Sequence, residues 1–384
     1  MDNQIKIARV STVAFFVNTQ LAKQIEDIKS AGFDVSVVCS KGELYSQDVS
    51  YFPINIERKI SPIQDLMSLF SLIRLFRKQR FHIVHSTTPK AGLLCALASF
   101  FAGTKLRFHT FTGQTWAHKT GLSRFIFKSI DRLIAKLCTK VYADSPSQVA
   151  FLVKEGVVAP NNITFIGEGS LAGVDIKRFT PLEDQSDQNS LNLKAELGID
   201  DSSFVFLFLG RVNKDKGMVE LIEAFNRLAS KNSNVKLIVV GPVEEDMVSY
   251  LETLPSKQKR GIGFLGFSHQ PEKFLAISDV MVLPSYREGF GTSVIEAAAM
   301  SIPTIGSRIY GLSDAIVDQK TGILVKPKDV KSLFQAMKFA CEQRNLMEEM
   351  GVNARKRVET KFESSIVSQL IVEEYQKQIK EHKV

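Results

Sequence analysis

Pro284 to Pro303 reads PSYREGFGTSVIEAAAMSIP, and it joins the end of an apolar run to a glycine loop and then to a helical pattern. Apolar run, glycine loop and helix start are the parts of a strand-loop-helix unit. Such a unit leaves the first N–H groups of its helix unpaired, here those of Gly291 to Val294, at the positive end of the helix dipole. That is an anion site, and Gly289 and Gly291 let a phosphate approach the backbone. We expect Thr292 or Ser293 to cap the helix. Glu288 and Glu296 frame the stretch, and carboxylates accept hydrogen bonds from hydroxyl groups. A ligand with a diphosphate in its middle and polyols at both ends would use every one of these groups.

Outward from that stretch the same unit recurs. Ahead of it come the apolar strand Phe204 to Leu209, the basic loop GRVNKDKG (210–217), a helix from Met218 to Leu228, and strands over 235–240, 263–266 and 280–283; a strand over 304–306 follows it. The first half alternates likewise, with strands expected over 5–10, 33–39, 49–56, 81–85, 105–111 and 141–143. Between them lie helices over 21–31, 62–78, 90–101 and 122–138, and another from Pro146. Strand and helix alternation with Gly and Pro at the joints means parallel sheets covered on both faces, with ligands at the carboxyl ends of the strands. The expected architecture is α/β: two Rossmann-like, doubly wound domains facing a cleft. Residues 1–180 form one, 181–363 the other, and a closing helix over 364–384 packs back on the first. GSLAGVDIKRFTP (169–181) reads as a hinge, and the polar run 183–190 as a surface loop.

A length of 384 residues suits two domains that each bury a core, and 44% hydrophobic against 23% charged residues excludes disorder. Four scattered cysteines, Cys39, Cys95, Cys138 and Cys341, have no zinc or redox spacing and point to a reduced cytoplasm. MDNQIKIARV has no secretory pattern, and the longest uncharged run, 91–104, is too short to cross a bilayer. The net charge of +8 is uneven: residues 1–180 carry +10 and the remainder −2. An acidic partner would therefore dock on the first half.

Arg211 and Lys216 leave the strand 204–209 five positions apart. A guanidinium grips phosphate oxygens in pairs and an ammonium adds a point charge, so together they neutralise a diphosphate without a metal ion. With GRVNKDKG, PSYREGFGTSVIEA and GLSDAIVDQKTGILV together, the chain resembles the family-four retaining glycosyltransferases of bacterial surface-polysaccharide synthesis, which have the GT-B fold. HSTTPKAGLLCALAS, RFHTFTGQ and GSLAGVDIKRF extend the resemblance over nearly the whole length.

The resemblance implies that Arg211 and Lys216 hold the donor diphosphate, that Glu288 contacts the sugar and that Glu296 holds the ribose. It also implies that backbone at Phe290, Gly291 and Thr292 touches phosphate and sugar, that Phe267 in the loop GFSHQPEKF meets base or ribose, and that His109 faces the donor sugar. The catalytic set is then His109, Glu288, Arg211 and Lys216. No cofactor or metal is expected; the partners are a nucleotide-sugar, most simply UDP-linked, and a free or polyprenyl-diphosphate-linked glycan. Many relatives carry a glycine pair where this chain has STVAFFVNTQ (11–20), so acceptor contacts there are open; helix capping is the simplest role for Asn18 and Thr19.

Two helical stretches of the first half suggest an anionic membrane surface at the inner face of the plasma membrane. Arg124, Lys128, Arg132, Lys136 and Lys140 recur every four residues, and Arg74, Arg77, Lys78 and Arg80 crowd the end of another helix. A dehydrogenase is excluded by the missing G-x-G-x-x-G turn. A sugar-nucleotide epimerase of the same shape remains, separable by product analysis. An RNA-binding module would need aromatic and basic residues interleaved on one sheet face, whereas these basic residues lie on helices, so nucleic acid is not expected.

Overall fold

The computed structural model describes residues 4–45, 48–57, 59–181 and 188–384. The chain divides into two compact units, Met1–Gly173 with Ser364–Val384, and Val174–Glu363. The division falls inside the segment read as a hinge, at 173/174 instead of 180/181. Val174 and Phe179 are already core residues of the second unit, and Val174 pairs with Glu363 where the chain leaves it.

The second unit is built on β8 (Phe204–Leu209), once the first unit has used β1 (Lys6–Val13), β2 (Asp34–Ser40), β3 (Ser50–Pro53), β4 (Ile83–Thr87), β5 (Leu106–Phe111), β6 (Lys140–Ala143) and β7 (Ile163–Thr164). β9 (Val235–Val240), β10 (Ile262–Gly266), β11 (Val280–Leu283), β12 (Thr304–Ser307) and β13 (Gly322–Val325) complete the second sheet. β8 reads FVFLFL because it is central and covered on both faces; Phe206, Leu207 and Phe208 are fully buried, each worth about 1.5–3 kcal/mol of transfer energy.

The second sheet runs β10-β9-β8-β11-β12-β13, every pairing parallel. The winding therefore reverses between β8 and β11. That is the topological switch point, and the loops leaving the carboxyl ends of these two strands, 210–217 and 284–291, border one crevice. The first sheet runs β3-β2-β1-β4-β5-β6-β7, also parallel, and reverses between β1 and β4.

Several local expectations are corrected. β1 extends to Val13 and runs straight into helical turns over 14–21, so most of STVAFFVNTQ is regular structure. Asn18 and Thr19 cap nothing: Asn18 clamps the loop at the Glu43 carbonyl (2.8 Å) and the Tyr45 amide (3.0 Å), and Thr19 bonds back to the Phe15 carbonyl (2.8 Å). β3 is four residues long, and β13 and β7, the latter only two residues, were not expected. Residues 183–187 of the polar run lie outside the described residues, and Gln188–Glu196 is helical.

The closing helix Ser364–His382 belongs to the first unit, packing on the helix Ala22–Ser30. Tyr375, fully buried, receives a hydrogen bond from Arg9 Nη1 (2.7 Å), which also donates to His85 Nδ1 (2.6 Å); Nε2 of His85 meets the Thr110 hydroxyl at 2.7 Å. His85 is thus a buried packing group. Burial, with the Arg9 guanidinium beside it, keeps its pKa well below the ordinary value and the ring neutral.

Candidate active site

The two switch-point loops are fastened to each other by backbone contact. Gly217 has φ 71°, and a Cβ there would lie 2.2 Å from the Pro284 carbonyl oxygen, so only glycine lets the loops meet. Tyr286 N–H then donates to the Asp215 carbonyl (2.8 Å), Arg287 Nε to the Asp215 carboxylate (2.8 Å), and the Tyr286 hydroxyl to Glu220 (2.6 Å). Glu288 is supported from its other side. Gly311, φ 82°, brings the loop after β12 so close that a Cβ would sit 2.7 Å from the Glu288 carbonyl oxygen and 2.6 Å from that of Gly289.

On this frame Lys216 Nζ forms an ion pair with Glu288 Oε1, both side chains largely shielded from solvent. Arg211 Nη1 pairs with Glu244 Oε1 at 2.5 Å, and the second oxygen of Glu244 accepts from Asn213 Nδ2 at 2.6 Å. Asn213 in turn caps the turn that carries Lys216, its Oδ1 receiving the Lys216 amide at 3.0 Å. The Arg211–Glu244 pair is about half exposed, and exposed pairs contribute only about 0–1 kcal/mol, so an anion with two oxygens can displace Glu244.

The helix Thr292–Ala299 starts at Gly291, φ 94°, which occupies the cap position. Thr292 and Ser293 are therefore its first helical residues, correcting the expectation that one of them caps it. The Phe290 ring is core, 5.1 Å from Phe362, so its part in any ligand contact falls to the main chain.

Glu296 is half-buried on this helix. Burial pushes its carboxyl up to about 7; Arg178 opposes the shift and Glu272 adds to it. Arg178 is itself pinned by Glu272 (2.9 Å) and by the His269 carbonyl (2.6 Å), and the exposed Phe267 ring stands edge-on to His269 at 4.7 Å. Glu244, Asn213, Arg178 and Glu272 were not anticipated from the sequence. Asn213 lies in the quoted loop 210–217, Glu272 in GFSHQPEKF and Arg178 in the segment 169–181, but only chain closure brings Glu244 to Arg211 and Arg178 and Glu272 to Glu296.

His109 is not an open ring. It is 1% exposed, its Nδ1 is 2.9 Å from the Ser86 hydroxyl, and a Cβ on Gly92 would come within 2.4 Å of its Cε1. Burial drives its pKa down to about 3, so it is a neutral group wedged between β5 and the helix Pro89–Phe101. The ring expected to meet a sugar is thus packed inside the first unit. His82 is structural too, its Nδ1 accepting the Lys6 amide at 2.9 Å.

The expected basic stripe is engaged by the protein in part, with Arg132 and Lys136 exposed. Arg124 and Lys128 of the helix Gly121–Leu137 both pair with Glu155 (2.8 and 2.6 Å) and cover the Trp116 ring, and Arg132 donates to the Gly156 carbonyl (2.8 Å).

Comparisons with known proteins bear on the family and the fold. Residues 189–357 match the model of glycosyl transferases group 1, and residues 17–169 that of the glycosyl transferase 4-like domain. The chain is 32% identical to the capsular polysaccharide biosynthesis glycosyltransferase CapM of Staphylococcus aureus, over 99% of both chains. It is 28% identical to the UDP-Gal:alpha-D-GlcNAc-diphosphoundecaprenol alpha-1,3-galactosyltransferase of Escherichia coli, over 94% of both. Among solved structures, Anabaena Alr3699/HepE in complex with UDP and glucose superposes with a TM-score of 0.77 at 18% identity, covering 97% of this chain and 100% of that one. With two Rossmann-like sheets and full-length similarity to CapM, the chain belongs to the GT-B glycosyltransferases of bacterial surface-polysaccharide synthesis.

Proposed function

We propose that the protein is a retaining, metal-independent glycosyltransferase that moves a hexosyl or N-acetylhexosaminyl group from a UDP-sugar to a polyprenyl-diphosphate-linked glycan at the cytoplasmic face of the membrane. The observation that carries this reading is the convergence of Arg211, Lys216 and the helix start at Gly291 on the β8/β11 crevice, with a carboxylate on either side. The donor diphosphate lies against the N–H groups of Thr292 and Ser293, with Arg211 gripping two oxygens and Lys216 moving from Glu288 to a third. Glu288, released from that pair, accepts hydrogen bonds from sugar hydroxyls, and Glu296 accepts those of the ribose.

As the glycosidic bond to the diphosphate breaks, negative charge grows on the departing oxygen, where the cations and the helix start already point. That oxygen can take the proton of the acceptor hydroxyl attacking on the same face, so no protein nucleophile is required and the anomeric configuration is kept. The names of the E. coli relative and of the Anabaena complex support UDP, and the former supports a diphospholipid acceptor. The Phe267 loop, beside Arg178 and Glu272, would receive the base.

The test is a thermal-shift screen of nucleotide-sugars followed by transfer to undecaprenyl-diphosphate-linked sugars. A UDP-sugar should raise the melting point and yield a product of retained configuration. Inverted product, or stabilisation by every nucleotide except UDP and its sugars, would overturn the reading.

A further inference from the structure

Each cation of the β8/β11 crevice is met by a carboxylate of its own unit, Lys216 by Glu288 and Arg211 by Glu244. The donor reading gives Glu288 a further task at the sugar. It gives Glu244 none, yet the backbone itself fixes Glu244 beside Arg211. Glu244 follows β9, the strand that pairs with β8. Gly241 has φ 146°, and a Cβ there would lie 1.8 Å from the Gly210 carbonyl oxygen, so the loop after β9 runs against the start of the loop 210–217. Val212 and Val243 then form a bridge, the Val212 amide donates to the Pro242 carbonyl (2.9 Å) and the Glu244 amide to that of Val212 (3.0 Å). The Lys214 amide donates to the Asp246 carboxylate at 3.0 Å.

A pair so open to solvent adds little to folding, so stability does not account for this placement. Its geometry does. Glu244 Oε1 takes Nη1, one arm of the Arg211 fork, at 2.5 Å, while Oε2 stays on Asn213 Nδ2 at 2.6 Å. A diphosphate that grips both terminal nitrogens must move Oε1 off Nη1. Asn213 is buried and its Oδ1 receives the Lys216 amide, so a carboxylate released from Arg211 keeps one partner and stays next to the arginine. It is a tethered competitor, and every ligand of Arg211 has to displace it. A nucleotide-sugar offsets that loss with base, ribose and sugar contacts, whereas a bare phosphate has none of them.

We propose that Glu244 is a specificity-determining residue of the donor site, a resident carboxylate that occupies Arg211 between turnovers and keeps out inorganic phosphate and pyrophosphate. The inference rests on the donor reading above and adds to it a means of exclusion. Discrimination arises as a threshold: the competitor weakens every ligand of Arg211 by one common factor, and only ligands with further contacts still bind. Glu244 differs in this from Glu288, whose displaced carboxylate passes to the sugar.

The test titrates the full chain with pyrophosphate and with UDP in a calorimeter. Glu244→Gln is nearly isosteric and keeps an oxygen for Asn213, and Glu244→Ala removes the group altogether. Both variants should bind pyrophosphate and UDP about threefold to tenfold more tightly, by the same factor for each ligand, as loss of one half-exposed competing charge implies. In the Arg211→Ala background the gain from Glu244→Gln should shrink below about twofold, because the arm it frees is no longer there. Glu252→Gln removes the same charge from an exposed position on the helix Glu245–Thr253 and should change neither affinity. In transfer assays the inhibition constant of pyrophosphate should fall in Glu244→Gln by the factor seen in the calorimeter.

Unchanged or weaker binding of both ligands by Glu244→Gln overturns the proposal and makes Glu244 a group that holds Arg211 in position for the ligand. A gain that persists undiminished in the Arg211→Ala background overturns it as well, since the carboxylate then acts only as a repelling charge. The donor reading fails separately. Tighter pyrophosphate in Glu244→Gln while neither protein binds UDP leaves Glu244 a competitor at a diphosphate site and removes uridine from the donor. Neither ligand bound by parent or variant removes the anion site, and both readings with it.

Discussion

Lys216 and Glu288 form an ion pair between the two loops of the β8/β11 crevice, with only 18% and 13% of their side chains exposed. The lysine thus holds with Glu288 the place it would give to a phosphate, and the carboxylate competes with the donor for the same ammonium. Glu288→Ala removes the competitor and leaves the lysine in place. Free UDP should bind this variant as well as the parent or better, while turnover falls by about 10²-fold or more because the sugar hydroxyls lose their acceptor. Lys216→Ala should weaken UDP itself. Titration calorimetry with UDP decides the matter, and equal loss of UDP affinity in both variants would contradict the division.

Glu296 yields a pH dependence with a definite sign. Its folded carboxyl is raised to about 7 from an ordinary 4.5, so the native chain holds a proton that the unfolded chain releases. Stability without ligand therefore falls as pH rises from 4.5 to 7. Ribose binding has the opposite sign, since two hydroxyls donate best to the ionised form. UDP affinity should rise roughly tenfold between pH 6 and pH 8. Glu296→Gln should bind UDP weakly and without that rise; a pH-dependent affinity in the glutamine variant equal to the parent's would remove Glu296 from the ribose.

What could be read from the sequence followed the strength of local signals. FVFLFL at β8 is legible because a central parallel strand is apolar at every position, and Gly217 and Gly291 mark loops where a side chain does not fit. Arg211 and Lys216 read as an anion site only together with the helix start at 291–294. Glu244 and Arg178 are invisible at that level, since they reach Arg211 and Glu296 only after the sheet closes. The helix Gly121–Leu137 misleads for a related reason. Cations at every fourth position ordinarily face water, but Glu155 and the Trp116 ring draw Arg124 and Lys128 against the protein, and Leu122, Phe125 and Ile126 are left outside. The contact of Gly92 with the His109 ring is likewise invisible in the pattern that singled His109 out.

Donor turnover should be independent of divalent metal, since two side-chain cations and a helix start supply the positive charge that a metal would otherwise bring to the diphosphate. Transfer in EDTA should equal transfer in magnesium within about twofold. Arg211→Ala should lose donor affinity by about 10-fold to 100-fold, and added magnesium should not restore it. Activity abolished by chelator and recovered with magnesium or manganese would refute the metal-free mechanism.

Gly92 and His109 provide the clearest separation of a packing role from a catalytic one. The three atoms nearest to a Cβ on Gly92 are Cε1, Nδ1 and Nε2 of the His109 ring, at 2.4, 2.8 and 3.1 Å. Gly92→Ala should overpack the interface between β5 and the helix Pro89–Phe101 and cost about 1–3 kcal/mol. His109→Ala should leave a cavity and cost roughly 2–5 kcal/mol, as other large-to-small core changes do. Together they should cost less than their sum by at least about 1 kcal/mol, because the added methyl group enters space the ring has left.

The acid limb carries the same information. His109 stays neutral in the fold down to about pH 3, whereas the unfolded ring takes a proton near 6.5, so the parent loses stability as pH falls through that window. His109→Ala should lose less over the same range. Denaturant unfolding of the four proteins at pH 4 and pH 7 measures all of this. Strict additivity of the two substitutions, together with a turnover loss in His109→Ala that Gly92→Ala does not relieve, would return the ring to the chemistry and remove it from the core.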